Sequence, residues 1–227
     1  MFTRVLTLHK RKAVQWAISK QVDIISMSFA LLQKDPGLQT EINNANARGI
    51  IMVSSTHDEG ERVTEAWPAS FTCNCLKVIT ACNEYGHQLR ENSSPSPHYS
   101  LQGQNVWAGD IPFLDARESP SGSSVSTALA AGLSALILTC DQLANLGRPL
   151  AKSERSSRVD YFFKQMKSEA AKSNFVILEK FGGIDEIPGS SGIKAESIFK
   201  RFHQPENRMI EQPTWPDSAH FYGNGVR

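Results

Sequence analysis

Three short segments dominated by apolar and β-branched residues constrain this chain more than any other feature. They are Val22-Asp23-Ile24-Ile25-Ser26-Met27-Ser28-Phe29, Ile50-Ile51-Met52-Val53 and Leu76-Lys77-Val78-Ile79-Thr80-Ala81. Each is too short for a helix that buries a face, and none shows the strict alternation of a strand with one wet side. They read as strands covered on both faces. Residues 11–20 place Ala13, Val14, Trp16, Ala17 and Ile18 at helical spacing, and residues 38–48 resume that spacing. Asp35-Pro36-Gly37 precedes the second helix and Gly49 stops it. Helix alternating with covered strand predicts an α/β fold with a mostly parallel sheet.

Composition narrows the partners. The 227 residues suffice for one domain and a tail, and 40% hydrophobic residues can build a core, so neither wholesale disorder nor a fibrous protein fits. Lys and Arg number 24 against 23 Asp and Glu, and a net charge of +1 offers no field to collect phosphate backbones. The longest apolar run, residues 128–139, is short for a bilayer crossing. The expectation is no nucleic-acid and no membrane partner. Met1-Phe2-Thr3-Arg4 leads into Lys10-Arg11-Lys12 with no apolar core of a signal peptide, which points to an intracellular, cytoplasmic location. Cys73, Cys75 and Cys82 lack the paired spacing of a zinc site, so they read as free thiols, and no metal or cofactor is expected.

Residues 83–121, rich in Ser, Pro, Gly and Asn, read as loops with brief strand-like pieces such as Asn105-Val106-Trp107. Residues 124–140 are small or apolar on every side and read as a buried central helix. Residues 141–158 are polar, and residues 159–180 fit a helix pair or a helix and a strand. Gly189-Ser190-Ser191-Gly192 reads as a linker. With Pro205, Pro213 and Pro216 in the last stretch, the expected division is a main domain over 1–145, a helical extension over 146–204 and a poorly ordered tail over 205–227.

The segment Ser121-Gly122-Ser123-Ser124-Val125-Ser126-Thr127-Ala128-Leu129-Ala130-Ala131-Gly132 joins a glycine turn to that central helix. A serine there has backbone N–H groups and the positive end of the helix dipole beside it, which suits stabilisation of a developing oxyanion in acyl transfer. The plainer reading is that Ser123 or Ser124 is a helix N-cap.

The same segment resembles the nucleophile motif of the subtilisin-like serine proteases, the subtilases, in which Gly and then Thr or Ser precede the catalytic serine. The resemblance places Ser124 on the nucleophile, with Ala128 where the family usually has proline. Three further stretches follow the family's order, and together they cover about residues 13–140. Ser28-Phe29-Ala30, after the first strand, is similar to the segment that binds substrate beside the primary specificity pocket, with Ala30 where glycine is usual. Gly49-Ile50-Ile51-Met52-Val53-Ser54-Ser55-Thr56-His57-Asp58 resembles the segment carrying the oxyanion-hole side chain, with Asp58 where most members have Asn. Trp67-Pro68-Ala69-Ser70 is similar to a supporting turn, and Tyr99-Ser100, Gly103 and Val106 through Gly109 to the loop and strand before the nucleophile.

The resemblance implies a three-layer α/β/α fold with the sheet incomplete on its N-terminal side, and peptide-bond hydrolysis as the reaction. The family's triad runs Asp, His, Ser along the chain. None of His9, His57, His87, His98, His203 or His220 is followed by the glycine of the family's histidine motif, and no Asp-Ser/Thr-Gly segment occurs. A serine without a base is a weak nucleophile at neutral pH. The expectation is therefore a polypeptide substrate or peptide ligand with little or no turnover by this chain, and a missing N-terminal half or partner chain. The alternative is a degenerate protease that binds peptides without cutting them.

Overall fold

The structure is a computed structural model that describes residues 2–58, 65–89, 96–106, 120–145, 148–168, 174–178, 181–183 and 186–203. Helix α1 (Phe2–Ser19), strand β1 (Ile24–Met27), helix α2 (Pro36–Ala47) and strand β2 (Ile51–Ser55) come first. Strands β3 (Leu76–Cys82) and β4 (Tyr99–Gln102) follow, and then helices α3 (Ser123–Ala144), α4 (Lys152–Gln165) and α5 (Ser191–His203).

The strands form one four-stranded sheet in the order β1-β2-β3-β4, every pair parallel. Ile24 faces Ile51, Met52 faces Leu76 and Ile79 faces Tyr99. All residues of β2 and β3 are buried, which explains their mainly apolar character, with Ser54, Ser55, Lys77 and Thr80 as buried polar exceptions. Successive side chains point to opposite faces, so β1, β2 and β3 each supply two cores, while β4 supplies one. Ile51, Val53, Ile79, Tyr99 and Leu101 join Leu133 and Ile137 of α3, Phe162 and Phe163 of α4, and Ile198 of α5. Ile50, Met52 and Leu76 join Val14 and Ile18 of α1 and Leu38 and Ile42 of α2 on the other face. The result is three layers, α/β/α, as expected.

Local chemistry explains the helix starts. Asp35 caps α2 by accepting the N–H of Leu38, with Pro36 in the first turn where its missing N–H costs nothing. Arg158 on α4 ion-pairs at 3.1 Å with the buried Asp141 at the end of α3. Arg155 ion-pairs with Asp23, tying α4 to the start of β1. Buried Lys77 on β3 donates to Asp160 of α4 at 2.6 Å and to the Asn74 carbonyl at 3.0 Å, and the Tyr99 hydroxyl donates to the same carboxylate.

Several expectations change. Helix α1 begins well before residue 11, and β4 lies inside the stretch read as loops. Asn105 has φ of +51°, incompatible with a strand, and Trp107 of the expected Asn105-Val106-Trp107 piece lies outside the described residues. Ser191 and Gly192, read as linker, open α5. Helices α4 and α5 share the core beneath α3, so both add to the same layer. The tail over 205–227 lies outside the described residues. Helix α3, at 22 residues, is long and apolar enough by composition to cross a membrane, and it is longer than the run visible in sequence. Here it lies across all four strands. It is not buried on every side: Leu129, Leu136 and Leu143 are 37%, 39% and 38% exposed. The thiols of Cys73, Cys75, Cys82 and Cys140 are free.

Candidate active site

Because all four strands are parallel, their C-terminal ends share one edge of the sheet, where open α/β sheets place their ligands. The segments read from sequence as functional leave the sheet at that edge. Residues 28–30 follow β1, Thr56, His57 and Asp58 follow β2, and α3 starts beside both. The structure therefore brings Ser28, Asp58 and Ser124 together from positions 96 residues apart or less.

The start of α3 is held from several sides. Its N-cap is Gly122, which has no side chain to cap with, at φ +133° and ψ 169°, a region that L side chains avoid. The Gly122 N–H donates to the Gly103 carbonyl at 2.7 Å. The Ser123 hydroxyl donates to the Thr56 carbonyl at 3.0 Å, and the Ser123 N–H donates to Asp58 Oδ2 at 2.9 Å. One turn on, the Ser126 hydroxyl donates to the Leu101 carbonyl at 2.9 Å. A Cβ on Gly103 would lie 2.2 Å from that hydroxyl oxygen and 2.7 Å from the Ala81 Cβ, so the residue just after β4 must be glycine.

Ser124 itself is exposed, one residue beyond the buried Ser123. Its carbonyl accepts from Ser28 Oγ at 3.3 Å, which links the candidate nucleophile to the segment after β1. Neither serine is a helix cap: Ser123 spends its hydroxyl on Thr56, and the capping acceptor is Asp58 from another loop. Sequence reasoning passed over Ser123 as a positioning residue. Its signal was a small hydroxyl residue beside a glycine that has to take a positive φ.

Residues 28–30 are flanked by further anchors. Lys10 Nζ stands 4.5 Å from the centroid of the Phe29 ring, and burial lowers the Lys10 pKa. After Ala30, Leu31 and Trp67 exchange backbone hydrogen bonds of 2.8 and 2.9 Å, so the turn at Trp67-Pro68 braces the segment. His57 lies half-buried beside Asp58. His98 sits just before β4, toward the other end of the sheet. Its Nδ1 accepts the Val78 N–H at 3.0 Å, and burial, seconded by the nearby Lys77, lowers its pKa against the opposing pull of Asp160.

Residues 5–148 match the subtilase family, Peptidase_S8. The chain belongs to that family. Among curated relatives, Minor extracellular protease Epr of Bacillus subtilis is 24% identical over 181 residues, covering 74% of this chain and 27% of its own length. Subtilisin-like protease het-Q2 of Podospora anserina is 30% identical over 138 residues, covering 56% of this chain and 37% of the relative. The chain thus spans about a third of these relatives. Among solved structures, the self-cleaved protease domain of PatA superimposes with a TM-score of 0.57 at 16% identity, covering 84% of this chain and 67% of that one. The PatG macrocyclase in complex with peptide gives 0.59 at 16% identity, covering 83% and 56%. These likenesses establish the subtilisin-type fold.

A cavity of about 750 Å³ lies at the opposite end of the subtilase sheet, among Gly49, Asn74, Cys75, Lys152, Ser156 and Asp160. Its buried polar groups are engaged with one another, Ser156 Oγ donating to the Asn74 carbonyl at 2.9 Å. The exposed Ser124 and the N-terminus of α3 lie at the other edge. Among the described residues no group of three or more His, Cys, Asp and Glu side chains is placed to hold a metal ion.

Proposed function

We propose that this chain carries the nucleophile side of a serine endopeptidase site, with Ser124 as nucleophile and residues 28–30 as the segment that receives the substrate backbone. The observation behind this is the exposed Ser124 at the head of α3, bonded through its carbonyl to Ser28. In the reaction Ser124 Oγ adds to the scissile carbonyl carbon and gives its proton to a base. The carbonyl oxygen becomes an oxyanion beside the Ser124 N–H and the Asp58 side chain, and the leaving amine then takes a proton. None of the six histidines carries the family's His-Gly motif, so on this reading the base is supplied from outside these segments. Turnover by the chain alone is little or none.

One observation favours a second reading, peptide binding without hydrolysis. Asp58 places a carboxylate, which only accepts hydrogen bonds when ionised, on the Ser123 N–H. That negative charge opposes an oxyanion. The PatG structure holds a peptide, which makes a peptide the ligand class to test first.

Labelling by a fluorophosphonate probe tests the reading, with wild type, Ser124→Ala and Asp58→Asn compared from pH 5 to 9. The proposal expects slow labelling that Ser124→Ala abolishes and Asp58→Asn accelerates. A folded chain that takes no label in any form, yet binds an extended peptide, establishes the second reading instead.

A further inference from the structure

Lysine ammonium groups stay in water by default, so one drawn against a ring beside the substrate segment is a departure that carries information. Lys10, in the middle of α1, is half-buried, and its Nζ stands 4.5 Å from the centroid of the Phe29 ring. The face of an aromatic ring is electron-rich and holds a cation in place. Phe29 is fixed in turn, because it packs against the core that α1 and α2 share with the sheet. Lys34 repeats the arrangement beyond Ala30, with its Nζ 5.2 Å from the ring centroid of Trp67, the residue paired with Leu31. Two ammonium groups thus stand against residues 28–30 and the turn that braces them.

The carboxylates of the neighbouring elements are engaged elsewhere. Asp23 pairs with Arg155, and Glu41 accepts from Gln15 and lies 3.9 Å from Arg11. Asp35 accepts the Leu38 N–H, and Asp58 accepts the Ser123 N–H. Among the described residues neither Lys10 nor Lys34 has a carboxylate partner. Burial lowers the Lys10 pKa, and no carboxylate among those residues pulls it back up. An ammonium partly stripped of water and without a counter-charge attracts a carboxylate more strongly than one fully in water.

We propose that Lys10 selects an acidic residue, Asp or Glu, in the peptide that residues 28–30 receive, an inference that rests on the reading of those residues as the substrate segment. Lys34 adds a second positive charge beside the same path. A peptide laid in extended form along 28–30 directs its side chains alternately to either side, so an acidic side chain turned toward Phe29 brings its carboxylate to Lys10 Nζ. The path from the Ser124 carbonyl through Ser28 and Phe29 to Lys10 Nζ is at most about 18 Å, which places the acidic residue within about five extended residues of the bond that meets Ser124.

The test is the binding of rhodamine-labelled octapeptides of Ala, Ser and Leu to the full-length chain, followed by fluorescence anisotropy, with Glu, Gln or Lys scanned through every position. The proposal expects a position at which Glu binds about fivefold more tightly than Gln, and Lys more weakly than either. Added salt should shrink that ratio. In Lys10→Met the Glu-to-Gln ratio at this position should fall to about one, and in Lys10→Glu the preference should reverse in favour of Lys, with the far-ultraviolet circular dichroism unchanged in both. A Lys10 that only shields the Phe29 ring gives the same ratio in wild type and in Lys10→Met, and that result overturns the proposal. So does a wild type that binds these peptides without regard to charge, which leaves 28–30 standing as a peptide segment. A folded chain that binds no peptide of any charge removes the substrate-segment reading itself, and this proposal with it.

Discussion

The Asp58 carboxylate accepts the backbone N–H of Ser123 at 2.9 Å and so caps, from a different loop, a helix whose own N-cap is glycine. A carboxylate at this point also faces the positive end of the α3 dipole. Asp58→Ala is expected to lower stability by about 1–2 kcal/mol, the usual cost of a lost cap. Asp58→Asn keeps an acceptor for Ser123 and loses only the charge, about 0.3–1 kcal/mol. Urea unfolding of the two variants measures the difference, and an Asp58→Ala chain as stable as wild type would remove the capping role.

Ser123 and Ser124 are neighbours with opposite jobs, and stability separates them. Ser123→Ala removes the hydroxyl from the buried Thr56 carbonyl and is expected to cost about 1 kcal/mol. Ser124→Ala removes an exposed hydroxyl that caps nothing and is expected to stay within about 0.5 kcal/mol of wild type. Equal losses in thermal unfolding would contradict this assignment.

Gly103 and Ser126 form a matched pair. Gly103→Ala drives a methyl into Ser126 Oγ and the Ala81 methyl, with an expected loss of about 1–3 kcal/mol from overpacking. Ser126→Ala in the same chain removes the tightest of three close contacts, leaving those to the Ala81 Cβ at 2.7 Å and the Gly122 carbonyl at 2.9 Å. The double-mutant cycle should therefore show favourable coupling, and strict additivity would rule out the contact.

Asp160→Asn leaves Lys77, buried in the sheet, with the Asn74 carbonyl but no counter-charge. The expected loss is on the order of 3 kcal/mol, because an uncompensated charge is left inside. Lys77→Met/Asp160→Asn should recover part of it, as measured by urea midpoints.

The pH dependence should carry a contribution from His98. Its pKa is lowered in the folded chain, chiefly by burial and next by Lys77, so the unfolded chain binds the proton more readily. Its contribution to stability is present in full above the unfolded value of about 6.5. It is lost as pH falls below that value and levels off below the folded pKa. The ring keeps an exposed flank, so the slope is shallow. His98→Asn, which can still accept the Val78 N–H, should flatten the melting temperature between pH 7 and 5. An unchanged slope would show that other groups carry it.

Much of the fold was legible because β2 and β3 are buried on both faces and their residues show it. Strand β4 was not legible in its residues, since Tyr99-Ser100-Leu101-Gln102 is four residues long with Ser and Gln among them, and the family resemblance alone pointed to a strand near Tyr99. Helix α5 hid behind Gly189-Ser190-Ser191-Gly192, because a first helical turn tolerates the same residues as a linker. Of the site, Ser124 was visible through its glycine and its small neighbours. The bond from Ser123 to Asp58 was not, as it joins residues 65 apart that meet only when β2 and α3 share an edge. The exposed outer face of α3 was also hidden, because an apolar helix looks alike in sequence whether one side or both are covered.

The order β1-β2-β3-β4 follows the order of the chain, and α3, which spans all four, comes after every one of them. As the polypeptide leaves the ribosome, each strand can join the one made just before it, but the face they build stays wet until residue 144 has emerged. Synthesis thus passes through an interval in which these four strands exist with one side bare. Helix α3 ends that interval by covering the bare side.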